Sequence, residues 1–433
     1  MEIKRDIYLQ RLIDREHNGF IKVITGIRRA GKSYLMNNIF YDYLLESGVS
    51  EDHIIKFAFD SADDLIKIGE DPLRFDNAGD TAKVDPEKFL LYINEMVKDK
   101  HDYYLLLDEV QNLGAFEAVL NGFLRKSYFD VYVTGSNSRF LSKDILTEFE
   151  GRGDEIHVLP LSFSEFEANY DGTTEEAFGE YMIYGGLPAV ALMKTEEQKA
   201  DYLTTQLANI YLRDIIKRYN LQSDKAISEL LDIIASGIST LTNPRKLSDT
   251  FRTVKQEKTA PYTVDKYIDH MEEAFMLTRV KRYDVKGKKY IETPYKIYFE
   301  DIGLRNARLN FRQIEETHIM ENIIYNELRF RGYRVDVGAV ECREKDSDGK
   351  DKRKWLEIDF IATMGSKKYY IQSAYAIPDN EKYRQETKSF DNVSDSFKKI
   401  IIVEKSMKPR RDDNGYETIG VKEFLLDQNS LEI

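Results

Sequence analysis

Eight consecutive residues near the start of the chain have the spacing of a phosphate-binding loop, GxxxxGK[ST]. They follow the apolar run FIKVIT (20–25), and the segment YLMNNIFYDYLLESG after them has apolar residues at helical spacing. Between a strand and a helix, glycines let backbone N–H groups curl around phosphates, helped by the helix N-terminus. The lysine would reach the β- and γ-phosphates and the serine would bind Mg²⁺. The predicted nucleotide-binding residues are Gly26, Ile27, Arg28, Arg29, Ala30, Gly31, Lys32 and Ser33.

The alternative interpretation is a glycine-containing turn between strand and helix that binds no ligand. The complete motif in its strand–helix context favours a nucleotide, with ATP as the substrate and Mg²⁺ as the cofactor. No base-reading motif such as NKxD is present in the sequence, so GTP stays open as the nucleotide.

A second motif, LLLDE, ends another apolar strand candidate at residues 103–110. Asp108 would hold Mg²⁺, directly or through water, and Glu109 would polarise the attacking water. An acidic pair after a strand is by itself often a solvated strand end, so this prediction depends on the phosphate loop that precedes it. The additional glutamate favours hydrolysis over binding alone.

Two further polar positions complete the predicted catalytic set. Asn137 ends the segment VTGSN (133–137) and would contact the γ-phosphate or the water from the strand beside Asp108. An ordinary turn of Gly, Ser and Asn is the alternative. Arg152 precedes a predicted edge strand and could reach a neighbouring subunit's γ-phosphate as an arginine finger. A surface arginine explains this position equally well.

Composition limits the class of protein. A chain of 433 residues suggests two or three domains, and the single cysteine, Cys342, excludes a disulfide framework and a cysteine-based zinc site. None of the six histidines has HxxxH or HExxH spacing, so no zinc site is predicted. The N-terminus is charged, unlike a signal peptide, and no run of about 18 apolar residues exists. We therefore expect a cytoplasmic protein with no membrane partner.

The order of predicted elements divides the chain into four parts. Strands alternate with helices over residues 1–165, which predicts an α/β domain with a parallel sheet, of the P-loop NTPase type. Residues 166–222 read as a helical lid or linker. Three helices and a β-hairpin over 223–305 match a winged helix. Residues 306–433 form a last α/β unit.

The partner of the predicted winged helix stays open. The chain has a net charge of −13, whereas residues 221–300 carry 14 Lys and Arg against 12 Asp and Glu. Basic residues crowd the hairpin, where phosphates would meet them, but acids on the recognition helix would repel DNA. A protein-binding winged helix is favoured over a DNA-binding one. The basic set is Lys281, Arg282, Lys286, Lys288 and Lys289, and the acidic set is Asp265, Asp269, Glu272 and Glu273.

Three side chains of the last unit resemble the layout of PD-(D/E)xK nucleases. Glu321 lies on a predicted helix, Asp359 on a strand and Gln372 on the next strand. That chemistry needs carboxylates around Mg²⁺ and a lysine near the water. In this chain an amide replaces the third acid, and Ala374 stands at the lysine position. We therefore expect a degenerate, inactive nuclease-like site.

Taken together, these motifs resemble a family of bacterial and archaeal ATPases of the AAA superfamily. The matching segments are VITGIRRAGKS, LLLDEVQN, VTGSNSRFLS, FEGRGDEIHVLPLSFSEF, YGGLPAV, YLRDI, KYIDHMEEAFML and KIYFEDIGLRNA, which cover nearly the whole chain. The resemblance implies an AAA-like module followed by a region of unknown function, similar to a winged helix plus a restriction-endonuclease-like α/β fold. It also implies that Asn137 takes the sensor-1 place and Arg152 the arginine-finger place, the latter in a homo-oligomer.

The leading functional prediction is an AAA-type ATPase whose nucleotide state controls a protein or nucleic-acid partner. An ATP-dependent DNA-processing nuclease or remodelling factor is one alternative, which DNA-stimulated ATP turnover would select. A slow nucleotide-gated interaction switch is another, which burst hydrolysis without turnover would favour.

Overall fold

The computed structural model describes residues 3–74, 82–135, 151–212, 215–216, 219, 224–254, 259–345 and 351–432. The chain divides into two compact units. The first consists of residues 1–159 with 273–275, and the second of residues 160–272 with 276–433. The division at residue 159 falls close to the predicted end of the P-loop domain at residue 165.

The first unit contains a five-stranded sheet in the order β2-β3-β4-β1-β5. Every neighbouring pair of its strands is parallel, as the alternation of strands and helices predicts. β1, β3 and β4 are buried along their whole length, and their sequences are mostly apolar rather than strictly alternating. The strands are β1 (Ile21–Thr25), β2 (Ile54–Ala58), β3 (Tyr103–Asp108), β4 (Phe129–Thr134) and β5 (Gly153–His157).

Helices connect these strands, and their ends follow local sequence signals. The helix after the phosphate loop runs through a π-helical segment, Leu35–Phe40. The helix with the predicted proline start begins at Pro86, where the Asp85 side chain accepts a hydrogen bond from the Glu87 N–H at 2.8 Å. The helices are α1 (Asp6–Ile13), α2 (Lys32–Tyr34), α3 (Tyr41–Glu46), α4 (Ala62–Lys67), α5 (Pro86–Met96) and α6 (Phe116–Leu124).

A buried ion pair joins β1, which leads into the phosphate loop, to β4. The Lys22 ammonium donates to the Asp130 carboxylate, and the Tyr132 hydroxyl donates to the same carboxylate at 3.1 Å. Burial lowers the pKa of Lys22, and Asp130 opposes that shift. Breaking a buried pair by removing one partner costs about 3–5 kcal/mol, so this contact holds the two central strands together.

The second unit begins with helices and continues into a mixed α/β arrangement. The three helices predicted for the winged helix are present as α11, α12 and α13. The helices of this unit are α7 (Phe163–Glu167), α8 (Thr174–Tyr184), α9 (Pro188–Ala191), α10 (Glu196–Gln206), α11 (Asp224–Ser236), α12 (Pro244–Val254), α13 (Pro261–Glu273), α14 (Ile302–Arg308), α15 (Glu316–Phe330), α16 (Asn380–Asp391) and α17 (Val421–Leu426).

An eight-stranded sheet in the order β12-β13-β11-β10-β9-β8-β6-β7 runs through the second unit. In the turn of the predicted hairpin, Lys288 rather than Gly287 has the positive φ, 50°. Strand bounds are β6 (Leu277–Asp284), β7 (Lys289–Phe299), β8 (Arg334–Lys345), β9 (Asp351–Met364), β10 (Lys367–Ala374), β11 (Lys398–Val403), β12 (Arg410–Arg411) and β13 (Glu417–Gly420).

The predicted boundary between residues 305 and 306 separates strands of this one sheet. β6 pairs in parallel with β8, with Arg282 opposite Val337 and Asp284 opposite Ala339. The pairing satisfies backbone groups that an isolated hairpin would leave open along its edge. The hairpin and the last α/β region therefore belong to one folded body. The pattern of apolar and polar residues within each segment does not predict this pairing between distant strands.

Hydrogen bonds join the regions of two motifs that carry the family resemblance, YGGLP (184–188) and EDIGLRN (300–306). The Asp301 carboxylate accepts a hydrogen bond from the Gly186 N–H at 2.9 Å, and burial raises its pKa to about 6. The Asn306 amide donates to the carbonyls of Met182 and Ile183, both at 2.9 Å. A Cβ at position 185 would lie 2.6 Å from the Asp301 carboxylate oxygens. These motifs therefore have a structural role.

Candidate nucleotide site

The phosphate loop connects β1 to α2 with a backbone that its glycines permit. Gly26 has a φ of 133°, and a Cβ there would lie 2.1 Å from the Val158 carbonyl oxygen. Gly31 has a φ of 91°, and Arg29 adopts a left-handed conformation with a φ of 66°. Because side chains are strained or excluded at these positions, the loop curls tightly and presents its backbone, as phosphate binding requires.

Lys32 is buried at the base of this loop. Its ammonium donates to the carbonyl oxygens of Gly26 at 3.0 Å and Ile27 at 3.1 Å. The positive charge is thus held within the curl of the loop and at the N-terminus of the following helix, where an anion is stabilised. The arrangement fits a nucleotide phosphate chain.

Ser33 and Asp108 meet although 75 residues separate them in the sequence. The Ser33 hydroxyl donates to the Asp108 carboxylate at 3.1 Å, across the C-terminal edge of the sheet. Burial raises the pKa of Asp108, and hydrogen bonds from Thr134 and Ser33 oppose that shift. A hydroxyl and a carboxylate side by side are oxygen ligands of the kind that Mg²⁺ prefers. The residues present therefore fit a Mg²⁺ ion beside the nucleotide.

Two partners of Asp108 escaped the sequence analysis. The Thr134 hydroxyl donates to one of its oxygens, and the Asn37 amide donates to the other at 3.3 Å. Thr134 belongs to the segment VTGSN (133–137), in which a role at the site was predicted only for Asn137. Asn37 lies four residues after Ser33, one helical turn further along the same face, and this spacing was the available signal.

Glu109 is positioned by its backbone as well as its side chain. It has a φ of 51°, and its N–H donates to the Thr134 hydroxyl at 3.1 Å. Its carboxylate accepts a hydrogen bond from the Gln111 amide in the short helical turn Val110–Asn112. A non-glycine residue in this conformation is uncommon, and such strain is found at sites where a side chain must take a set direction.

Asp60, just beyond the end of β2, is a third carboxylate at this edge of the sheet. Although Asp60 is exposed at the surface, neighbouring protein groups partly desolvate its carboxylate, which raises its pKa; the charges of Glu109 and Asp108 raise the pKa further, and Arg28 lowers it. Since β2 pairs with β3, the ends of the two strands lie together. The sequence does not single out Asp60, because a single acid after a strand has no distinctive pattern.

We expect Asp60→Asn to raise the Mg²⁺ concentration needed for half-maximal ATP turnover by several-fold. Removing one of three interacting carboxylates makes the site less negative, so a divalent cation is bound less strongly. A magnesium titration of phosphate release measures the effect, with Asp63→Asn on the exposed side of α4 as the matched control. If the Mg²⁺ titration of Asp60→Asn is the same as that of wild type, Asp60 does not contribute to the magnesium site.

Asn137 lies outside the described residues, whereas Arg152 is exposed immediately before β5. Gly153 pairs with Ile21 and His157 with Thr25, so Arg152 lies at the N-terminal end of β1. The phosphate loop lies at the opposite end, roughly 16 Å away over five strand residues of about 3.3 Å each. Arg152 therefore does not reach the nucleotide site of its own chain.

In the second unit, Glu321 and Asp359 come together, as the nuclease-like prediction requires. Both carboxylates contact Lys296, at 2.8 Å and 3.0 Å respectively. Gln372 lies on β10, where the N–H of the next residue, Ser373, donates to Asp359 at 2.9 Å. The sequence does not point to Lys296, because this residue lies on the predicted hairpin and outside the region predicted to form the nuclease-like unit.

Acids on the predicted recognition helix are directed toward the hairpin. Arg279 on β6 bonds Asp265 at 2.8 Å and Glu272 at 2.6 Å, and it also bonds Asp269. Arg282, one of the five basic residues assigned to the wing, is buried. Three of the four acids that were expected to repel DNA therefore serve to pack α13 against β6.

Comparison with known proteins agrees with the geometry of the phosphate loop. Residues 18–167 match the family described as an AAA domain, and residues 175–315 match a domain of unknown function. An uncharacterized protein of Haemophilus influenzae is 33% identical over 98% of this chain and 98% of its own length. The chain belongs to the family of that protein. Its N-terminal region is a AAA domain of nucleotide-binding ATPases.

Two more distant proteins are also similar to this chain. An uncharacterized protein of Methanocaldococcus jannaschii is 26% identical over 98% of this chain and 89% of its own length. The Walker-type ATPase of Pyrococcus abyssi matches 71% of this chain and 96% of its own, with 11% identity and a TM-score of 0.48. In the described part of the chain, no helix is both long and apolar enough to cross a membrane.

Proposed function

We propose that the AAA domain binds ATP with Mg²⁺ and hydrolyses it, and that the nucleotide state controls a protein or nucleic-acid partner. The observation that carries this proposal is the 3.1 Å contact between the hydroxyl of Ser33 and the carboxylate of Asp108, next to the buried Lys32. Phosphate-binding, magnesium-binding and water-activating groups thereby meet at one edge of the sheet.

Each group has a separate role in this proposal. The loop residues 26–33 bind the phosphates through backbone N–H groups, and Lys32 neutralises the charge that develops on them. Ser33 and Asp108 would hold Mg²⁺, which polarises the phosphoryl oxygens when bound. Glu109 accepts a proton from the attacking water. Hydrogen bonds with Thr134 and Gln111 hold Glu109 in place. Asn137 completes the proposed site from the segment after β4.

The test of this function is magnesium-dependent phosphate release by the purified chain, with ATP and GTP compared at equal concentration. Release from ATP that stops on adding a chelator supports the proposal. A chain that binds neither nucleotide would refute it. Burst release of one phosphate per chain, without turnover, would select the slow nucleotide-gated switch instead.

Arg152 provides a test of whether neighbouring subunits cooperate. Because it lies too far from its own phosphate loop, we propose that it contacts the nucleotide of an adjacent copy in a homo-oligomer. The Arg152→Ala variant should bind ATP normally and hydrolyse it much more slowly, whereas Arg125→Ala, another exposed arginine of this unit, should not. Phosphate release and a nucleotide-binding assay together measure this difference.

Mixing variants separates action between subunits from a surface role. Arg152→Ala supplies an intact phosphate loop, and Lys32→Ala supplies an intact arginine, so a mixed oligomer should regain part of the hydrolysis. Co-assembly is verified by size-exclusion chromatography with light scattering. If co-assembled chains regain nothing, Arg152 has no role at a neighbouring site.

For the second unit we propose a winged helix whose hairpin joins the sheet of an inactive nuclease-like fold, and we propose that this unit binds the partner. Three helices and a hairpin support the first part, together with a bridge between Thr242 and Tyr295. Because Arg279 pairs with Asp265, Asp269 and Glu272 of α13, these acids do not by themselves distinguish a protein partner from DNA. Capture of partners with the Glu109→Gln variant, which should retain ATP, tests this assignment. DNA-stimulated ATP turnover would instead favour the DNA-processing alternative.

A further inference from the structure

A lysine lies at the centre of the carboxylate cluster in the second unit. The Lys296 ammonium contacts carboxylate oxygens of Glu357 at 2.7 Å, Glu321 at 2.8 Å and Asp359 at 3.0 Å. Only 3% of Lys296 is exposed. An ammonium has three donors, and here each of the three carboxylates takes part in an ion pair with it.

The alternation of strand residues explains how these groups converge. Lys296 and Tyr298 are two residues apart on β7 and share one face, as do Glu357 and Asp359 on β9. Glu321 comes from α15 and is contacted by both β7 residues, since the Tyr298 hydroxyl donates to it at 2.6 Å. The cluster is thus built from three separate elements of the fold.

The charges of this cluster are largely compensated within the chain. Burial raises the pKa of Glu321 to about 7, and the charge of Lys296 limits that rise. Burial alone would lower the pKa of Lys296, but the carboxylates outweigh it and hold the pKa well above its usual value, so the side chain is charged. Arg282, also buried, adds a second positive charge that interacts with Glu357.

Three of the carboxylate oxygens that a metal would need already accept hydrogen bonds. One oxygen of Asp359 contacts Lys296, and the other accepts the Ser373 N–H. One oxygen of Glu321 accepts from both Lys296 and Tyr298. A Mg²⁺ ion would have to approach these atoms to about 2.0–2.1 Å, next to an ammonium of the same sign. Because the Lys296 ammonium contacts all three carboxylates directly, it occupies the position among them that the ion would need.

We propose that Lys296 is the permanent cation of this site, in place of the divalent metal that a working nuclease of this layout requires. Lys296 then holds the carboxylates together and keeps the site from binding metal. The inference rests on the proposed nuclease-like module and is independent of ATP hydrolysis, because none of these residues belongs to the AAA domain. It explains why the acids Glu321 and Asp359 occur beside a third motif that has lost its acid and its lysine.

The test measures how many Mn²⁺ ions the full chain binds in the absence of nucleotide. Electron paramagnetic resonance detects the bound ions. Wild type and Asp359→Asn should bind the same number of ions, since the cluster takes none in either. Lys296→Ala should bind one more Mn²⁺ per chain than wild type, and Lys296→Ala combined with Asp359→Asn should lose that ion again. The matched control is Lys281→Ala on the neighbouring strand β6, which should behave as wild type.

Two results would overturn the inference. The first is a Mn²⁺ ion, or Mg²⁺-dependent cleavage of DNA or RNA, that wild type shows and Asp359→Asn lacks. The second is a folded Lys296→Ala variant that gains no ion. If Lys296→Ala does not fold, the comparison of wild type with Asp359→Asn still shows whether the cluster binds a metal ion. The Lys296→Arg variant keeps the positive charge and should bind the same number of Mn²⁺ ions as wild type. ATP turnover measured in the same preparations shows separately whether the AAA domain is active.

Discussion

Lys32→Ala should abolish ATP binding while the chain stays folded, lowering the affinity roughly 100-fold or more. The ammonium is buried within the phosphate loop and contacts two of its carbonyl groups, so it is positioned to neutralise the phosphates. Lys32 is expected to donate two charge-assisted hydrogen bonds to the phosphates of ATP. Each such bond is worth about 1.5–3 kcal/mol, so losing both corresponds to a decrease in affinity of this size. Isothermal titration with MgATP measures the affinity, and ATP turnover should disappear with it.

A matched control distinguishes loss of a phosphate contact from damage to the fold. Lys67 on α4 is an exposed lysine of the same unit and pairs with Asp64, so Lys67→Ala should bind ATP as wild type does. Circular dichroism and thermal melting establish that both variants are folded. A folded Lys32→Ala chain that keeps micromolar affinity for ATP would refute the proposed nucleotide site.

Glu109→Gln should bind MgATP with nearly wild-type affinity and turn it over about 10²–10⁴-fold more slowly, the usual contribution of a general base. The amide keeps the size of the side chain but does not accept a proton. The magnesium-binding groups Ser33 and Asp108 contact each other without involving the Glu109 side chain, so binding should survive. Single-turnover phosphate release, together with a binding titration, separates the two effects.

Glu95→Gln on α5 is a suitable control, because it replaces an exposed carboxylate of the same unit by the same amide. It should hydrolyse ATP as wild type does. Wild-type turnover in Glu109→Gln would show that this carboxylate does not activate the water. In that case Asp60, which interacts electrostatically with Glu109, becomes the candidate base to test next.

Local patterns in the sequence were sufficient for the parallel sheet and for the phosphate loop. The runs 103–107 and 21–25 became buried central strands because a parallel sheet is covered on both faces. The proline at position 86 and the loop glycines act through their own backbone conformations, which neighbouring segments alter little. Such features depend on a few adjacent residues, and the sequence therefore predicts them directly.

The sequence did not predict which residues complete the site, because those contacts join distant segments. Asn37, Asp60 and Thr134 come from three different elements, and only the strand order brings them to Asp108 and Glu109. None of them has a distinctive local pattern. The same limitation led to the boundary at residues 305 and 306, since the pairing of β6 with β8 depends on strands about 50 residues apart.

The sequence by itself determined that this chain has the groups to bind a nucleotide and Mg²⁺, since the phosphate loop and the acidic pair are contiguous motifs. It also determined that Gln372 and Ala374 stand where the proposed nuclease layout would need an acid and a lysine. Only the tertiary structure revealed that Lys296 on β7 lies among Glu321, Glu357 and Asp359. The reason is physical: a buried charge is stable only when opposite charges surround it, and the fold, not the local sequence, brings these partners together.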